Sequence, residues 1–355
     1  MLAVFAVDDT TAQVHWSGLA SGRHELAIGD RPVVVDAAVG AHTFTALAPA
    51  TRYGVTLDGR RRATFTTLPA LAGPVSSRIA TISDLHIGEP GFGFFPRIAS
   101  DGRHAERATR AALTEAVAWG ADLIVVKGDI SHYGRAREYE AFNAILRDAP
   151  VPVVVMPGNH DGGDHVHGNF SLIDGGERVD DVVVRDLPGI RVVAFDSVRP
   201  RHKRGRVFHV IDQVTAATRE ADEHDTAALV LLHHPPERTL VVTHPPSGLL
   251  GLEAFRLLHA LADANPRTLV SAGHSHRHRR RRHRSVVVTE VGSVKDFPGT
   301  WAGYTVHEGG IVQVVRRIAD PEVIAWTQRT GTSVLGMWGR YAPGRLHDRC
   351  FSHNW

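Results

Sequence analysis

An α/β chain preceded by a small all-β unit is the fold class that this sequence predicts, and three observations predict it. Residues 1–69 hold seven short runs rich in β-branched and aromatic residues, separated by Gly, Asp and Pro. From Ile79 onward, short apolar runs alternate with amphipathic segments, the order of a sheet with crossover helices. Five of those apolar runs stop on residue types that can ligate metals.

The seven runs are AVFAV, AQVHW, HELAI, PVVVDA, HTFTAL, YGVTL and ATFTTL. MLAVFAVDD lacks a basic leader and a cleavage region, so it reads as a first strand, and a cytoplasmic protein is expected. Leu68 to Ser76 is rich in Pro, Gly, Ala and Ser, which places a linker at 70–76. Strand Ile79–Ser83 then ends in Asp84-Leu85-His86. The loop GEPGFGFFPRIASDGR carries Phe92, Phe94 and Phe95, for which packing inward is favoured over stacking on a base. Arg103–Trp119 reads as a helix with Ala105, Ala108, Ala112, Ala116 and Trp119 on one face, closed by Gly120.

Strand Leu123–Lys127 ends in Gly128-Asp129, and a helix follows with Tyr139, Phe142 and Leu146 at core-facing spacing. The run VVVMPGNHD begins as a buried parallel strand, turns at Pro157-Gly158 and offers Asn159, His160 and Asp161 at the strand's carboxyl end, where open α/β sheets bind ligands. His165 and His167 read as rim or solvent residues, and the basic RPRHKRGRVF as a solvated loop. Strand Ala228–Leu232 ends in His233-His234-Pro235, and Thr268–Ala272 in Gly273-His274-Ser275-His276. Arg277–Arg284 reads as a hairpin whose charges are mostly solvated, the competing reading being a steering patch for anions. Residues after Gly292 read as strands finishing the second of two sheets, with Trp301 and Tyr304 as packing residues. The final aromatic segment reads as a tail on its own sheet, ahead of a lid or a protomer contact.

The ordered set Asp-x-His, Gly-Asp, Gly-Asn-His-Asp, His-x-Pro and Gly-His-x-His resembles the calcineurin-like metallophosphoesterase superfamily from about Ile79 to about Gly292. The resemblance implies a two-sheet α/β sandwich flanked by helices over 77–318, with 319–355 as a carboxyl-terminal extension or lid. It further implies that Asp84, His86 and His276 hold one metal, that Asn159, His233 and His274 hold another, that Asp129 bridges them, and that Asn159 and His160 act in catalysis. Gly128-Asp129-Ile130-Ser131-x-x-Gly134 followed by Tyr139, together with His233-His234-Pro235-Pro236, is closest to class III cyclic nucleotide phosphodiesterases. The second aspartate and the arginine of serine/threonine phosphatases are missing, and His86 and His132 stand where purple acid phosphatases carry glycine and a metal-binding tyrosine. Leu47-Ala48-Pro49-Ala50-Thr51-Arg52-Tyr53 resembles the tyrosine corner of fibronectin type III domains. That implies a small fibronectin/immunoglobulin-like β sandwich over 1–69, short enough for a strand to be missing.

Chemistry accounts for those residue types. A phosphodiester is anionic and resists hydroxide; two cations about 3.5–4 Å apart neutralise it and make a nucleophile near neutral pH. Imidazole, carboxylate and amide ligands suit Mn, Fe, Co or Zn rather than Ca. The resemblance therefore implies a dinuclear phosphodiesterase, with 3′,5′-cyclic nucleotides as one substrate class and in-line attack by a hydroxide between the metals. A phosphomonoesterase or nuclease is the alternative, and a metal-stabilised binding module without activity is a third reading. The chain has 40 basic and 38 acidic residues and a net charge of +2, so a small phosphate ester is favoured over nucleic acid as partner. One cysteine, Cys350, excludes an internal disulfide, no apolar run is long enough to span a membrane, and homo-oligomerisation stays open.

Overall fold

The computed structural model describes residues 2–147, 149–163, 169–199, 202–237 and 246–355. The seven amino-terminal runs are all strands. Leu2–Val7, Ala12–Ser17 and Val39–Phe44 form one antiparallel sheet, and Arg31–Val35, His24–Ile28, Arg52–Leu57 and Arg60–Thr66 the other. Side chains alternate along each strand, so Val14, Trp16, Leu26, Ile28, Phe44, Val55 and Phe65 meet in a dry core between the sheets. Two sheets, of three and four strands, make up this unit. The Tyr53 hydroxyl accepts the Ala48 N–H at 2.8 Å, pinning the chain where it crosses between sheets.

Two larger sheets follow. The first runs in the order Glu177–Arg178, Val153–Met156, Leu123–Lys127, Val75–Ile82, Thr300–His307, Gly310–Arg317, Cys350–Asn354. Its first four strands are parallel, because helical crossovers return the chain to the same end each time. The second sheet runs Val182–Leu187, Ile190–Phe195, Ala227–Leu232, Thr268–Ala272, Val286–Glu290, Arg279–His283, with four central parallel strands. The sheets pack face to face over Ile79, Val125, Val154, Leu229, Leu269, Val287 and Tyr304. Helices His104–Ala118 and Ala136–Leu146 cover the outer face of the first sheet, burying Ala105, Ala108, Ala112, Tyr139 and Phe142. Helices Ile211–Glu223 and Gly251–Ala264 cover the second. Strands covered on both faces have no need to alternate, which is why LIVVK and AALVLL read as continuous apolar runs.

One expectation is overturned. The hairpin Thr300–His307 and Gly310–Arg317 finishes the first sheet, pairing antiparallel with Val75–Ile82. Its apolar pattern specifies a strand but not an edge. The tail then adds Cys350–Asn354 beyond it, so the chain's end packs on its own sheet. The amino-terminal sandwich sits against this extension: Gln13 and Arg317 exchange two bonds of 2.8 Å, and Phe5 packs with Val312, Val314 and Cys350. No described helix is long and apolar enough to cross a membrane.

Candidate metal centre

The parallel strands deliver their carboxyl ends to one side, and every predicted site residue lies there. The backbone turns sharply at each strand end. Asp84, His86, Asp129, His274 and His276 all have left-handed φ of 49–67°. For residues with a Cβ this costs about 1–3 kcal/mol each, and it persists only where the surroundings hold it. Here the strand-end loops bond to one another: Asp84 N–H donates to Gly128 O at 3.1 Å, and His86 N–H to Asp129 O at 2.8 Å. Two motif glycines are explained by contact. A Cβ on Gly158 would lie 2.2 Å from Asp129 Oδ1, and one on Gly273 2.0 Å from Ser83 Oγ.

The donor atoms converge in a buried cluster. Asp129 Oδ2 stands 3.4 Å from both His86 Nε2 and His233 Nε2. On one side of it, His276 Nε2 is 3.2 Å from His86 Nε2 and 3.4 Å from Asp84 Oδ1. On the other, Asn159 Oδ1 is 3.3 Å from His233 Nε2, and His274 joins His233 and His234 with ligand atoms within 4.8 Å of one another. Asp84 is further fixed by Ser83 Oγ at 2.5 Å and the His274 N–H at 2.9 Å.

This set fits cations. His233 Nδ1 is 2.8 Å from the Lys127 carbonyl and His276 Nδ1 is 2.6 Å from Asp296 Oδ2, so each Nδ1 is the donor and each Nε2 turns a lone pair inward. Those lone pairs face carboxylate and amide oxygens, acceptors opposed to acceptors, which only a cation or added protons can reconcile. The electrostatics agree. Burial opposes charge on His276, yet Asp296 and Asp84 override it and hold the imidazole at about 10. Burial opposes charge on His233 as well, and Asp129 overrides it to give about 9. Asp129 is held well below the usual carboxylate range, because His233 and His160 outweigh its own burial.

Beside the cluster, the His160 N–H donates to Asp129 Oδ1 at 2.9 Å and His160 Nδ1 lies 2.9 Å from His132 O. Both bonds help to position His160. Sequence reasoning left Asp161, His132, Lys295 and Asp296 out of the site. Asp161 accepts the N–H groups of Ile130, Ser131 and Gly158 at 2.9–3.0 Å and the Tyr139 hydroxyl at 2.9 Å, tying the Asp129 loop to the Asn159 loop. Its place beside Asn159-His160 was the available signal. His132 Nδ1 is 3.3 Å from His86 Nδ1, and its ring stacks on His160 at 5.3 Å.

Other expectations divide. Phe92 is half-buried against Trp338, but Phe94 and Phe95 are 94% and 68% exposed, which corrects the inward packing expected for them. Their loop bulges beyond the short hairpin Gly91–Phe92 and Ile98–Ala99. The arginine run does form a hairpin with Val286–Glu290. Arg277, however, is buried, 2.8 Å from Glu290, and Arg280 lies over the Phe351 ring at 4.6 Å, so part of the run is structural rather than solvated. His165 and His167 lie outside the described residues, as do Pro200 and Arg201 of the basic loop.

Residues 77–278 match the family described as calcineurin-like phosphoesterase. The chain is 24% identical over 224 residues to a probable glycerophosphodiester phosphodiesterase GpdQ of Arcobacter nitrofigilis, covering 61% of this chain and 78% of that one. It is 28% identical over 154 residues to a probable cyclic nucleotide phosphodiesterase of Synechococcus, covering 43% of this chain and 57% of the relative's length. In fold it is similar to a dimetal phosphatase from Danio rerio, at TM-score 0.53 and 16% identity, over 69% of this chain and 97% of that one. It is also similar to the purple acid phosphatase PPD1 of yellow lupin, at TM-score 0.50 and 14% identity, over 89% of this chain and 72% of that one.

Proposed function

Because the chain belongs to the calcineurin-like phosphoesterase family, a family of hydrolases, we propose that it is a dinuclear-metal phosphodiesterase. The observation that carries this reading is Asp129 Oδ2, set equally at 3.4 Å from His86 Nε2 and His233 Nε2. A carboxylate so placed would help to hold two cations. Asp84, His86 and His276 would complete one site, and Asn159, His233 and His274 the other. Ions bound there would supply charge neutralisation at the phosphate and would make a water molecule more acidic.

The remaining chemistry falls to the chain's own groups. With Nδ1–H donated to the His132 carbonyl, His160 keeps Nε2 for the exchangeable proton, which it gives to the departing oxygen. Asn159 presents Oδ1 toward His233, leaving its Nδ2–H to orient a non-bridging phosphate oxygen. Two curated relatives named as phosphodiesterases favour a diester over a monoester, and a small ester over nucleic acid. Cyclic nucleotides and glycerophosphodiesters are the two substrate classes that follow from those names.

The test is hydrolysis of bis(p-nitrophenyl) phosphate beside p-nitrophenyl phosphate by Mn-loaded wild type and Asp129→Ala. Faster diester turnover that disappears in the variant is expected. Faster monoester turnover would move the protein to the phosphatases, and no turnover of either would end the enzymatic reading.

A further inference from the structure

The loop between Glu290 and Thr300 carries a buried ionic network that the phosphoesterase motifs do not include. Asp296 is fully buried with both carboxylate oxygens committed. Oδ2 stands 2.6 Å from His276 Nδ1 and 3.3 Å from Lys295 Nζ, while Oδ1 accepts the Trp338 indole N–H at 3.3 Å. Lys295 is buried too, 2.8 and 2.9 Å from the two oxygens of Glu89 and over the Phe92 ring at 4.6 Å. Glu89 is anchored in turn by His104 Nε2 at 3.1 Å. The Trp326 indole N–H holds the Lys295 carbonyl at 2.7 Å. Three distant stretches thus meet behind one imidazole: the loop after His86, the start of helix His104–Ala118, and the carboxyl-terminal extension.

We propose that Asp296, clamped by Lys295 and Trp338, is the positioning residue of the metal ligand His276, and that residues 319–355 are thereby a working part of the metal centre. A carboxylate held at three points cannot rotate, so it accepts from His276 Nδ1–H in a single orientation. That fixes the tautomer and aims the Nε2 lone pair at Asp84 and His86. A buried ion pair of this kind is poor as pure stabilisation, since its desolvation offsets much of the attraction. Its effect here is directional. The extension, which the sequence leaves between a tail and a lid, then reaches the site through two indole N–H groups while its last strand closes the sheet.

The inference rests on the reading of His276 as a ligand, and the experiment separates the two. Metal-depleted wild type, His276→Ala, Asp296→Asn and Trp338→Phe are titrated with Mn²⁺ by calorimetry, with melting temperatures recorded with and without Mn²⁺. Wild type should bind two ions, and His276→Ala should lose one. Asp296→Asn should bind that ion about 10–100-fold more weakly, and Trp338→Phe about tenfold more weakly. In both, the Mn²⁺-induced rise in melting temperature should shrink, a change that a merely structural residue would not produce. Asp296→Asn that folds and binds both ions as wild type overturns the positioning role. If that variant does not fold, wild-type affinity in Trp338→Phe overturns it. Two ions in His276→Ala would instead overturn the ligand reading beneath.

Discussion

At the scale of single residues, the centre depends on which atom of each side chain is already occupied. His233 and His276 turn Nε2 inward because a carbonyl and a carboxylate hold their Nδ1 atoms, and His160 is aimed the same way by the His132 carbonyl. His160→Ala should therefore lower kcat on a diester by about 10²–10⁴ while leaving two ions per chain, as read by steady-state kinetics and elemental analysis. Undiminished turnover would remove His160 from the reaction. The strand-end residues were legible because each follows an apolar run, three of them through a motif glycine, and close approach explains those glycines, as at Gly158 and Gly273. Asp296, Lys295 and Glu89 were not legible. No spacing rule links residues 89, 295 and 296 to His276; only the folded chain brings them into one ion-paired group.

At the scale of elements, periodicity predicted strands and helices well and their partners poorly. Helix His104–Ala118 and helix Ala136–Leu146 lie where the alanine face and the Tyr139, Phe142, Leu146 spacing put them. The hairpin Thr300–His307 and Gly310–Arg317 was read as strands but assigned to the wrong sheet, since burial on both faces looks alike in either one. Strand Ala12–Ser17 packs on that hairpin, and His15 Nδ1 accepts from Arg317 Nη1 at 3.0 Å. Burial first, then the charges of Arg317 and Arg349, push His15 down to about 3 from 6.5. Below pH 6.5 the unfolded chain takes up a proton that the folded one refuses until about pH 3, so stability is full above pH 6.5 and declines as pH falls through that window. His15→Gln, which keeps an acceptor for Arg317 without titrating, should flatten part of the decline in urea midpoint between pH 7 and pH 5. A slope identical to wild type would show that His15 is not a source of it.

At the scale of the whole molecule, two face-to-face sheets bring the carboxyl ends of five parallel strands to one site, and the amino-terminal sandwich braces the sheet on the side of Gly310–Arg317 and Cys350. The layered class and the seven small strands were legible because patterning sets them. How the sandwich docks was not, because its contacts, the Gln13–Arg317 pair and the Phe5 packing on Val312, Val314 and Cys350, join residues some 300 positions apart that no local pattern links. The proposed dinuclear site would place Asp129 between two cations. The most direct measurement is an anomalous difference map from crystals of the Mn-loaded protein. Two peaks about 3.5–4 Å apart are expected on either side of the Asp129 carboxylate, one beside His86 and His276 and one beside His233 and Asn159. A single peak, or peaks away from Asp129, would contradict it.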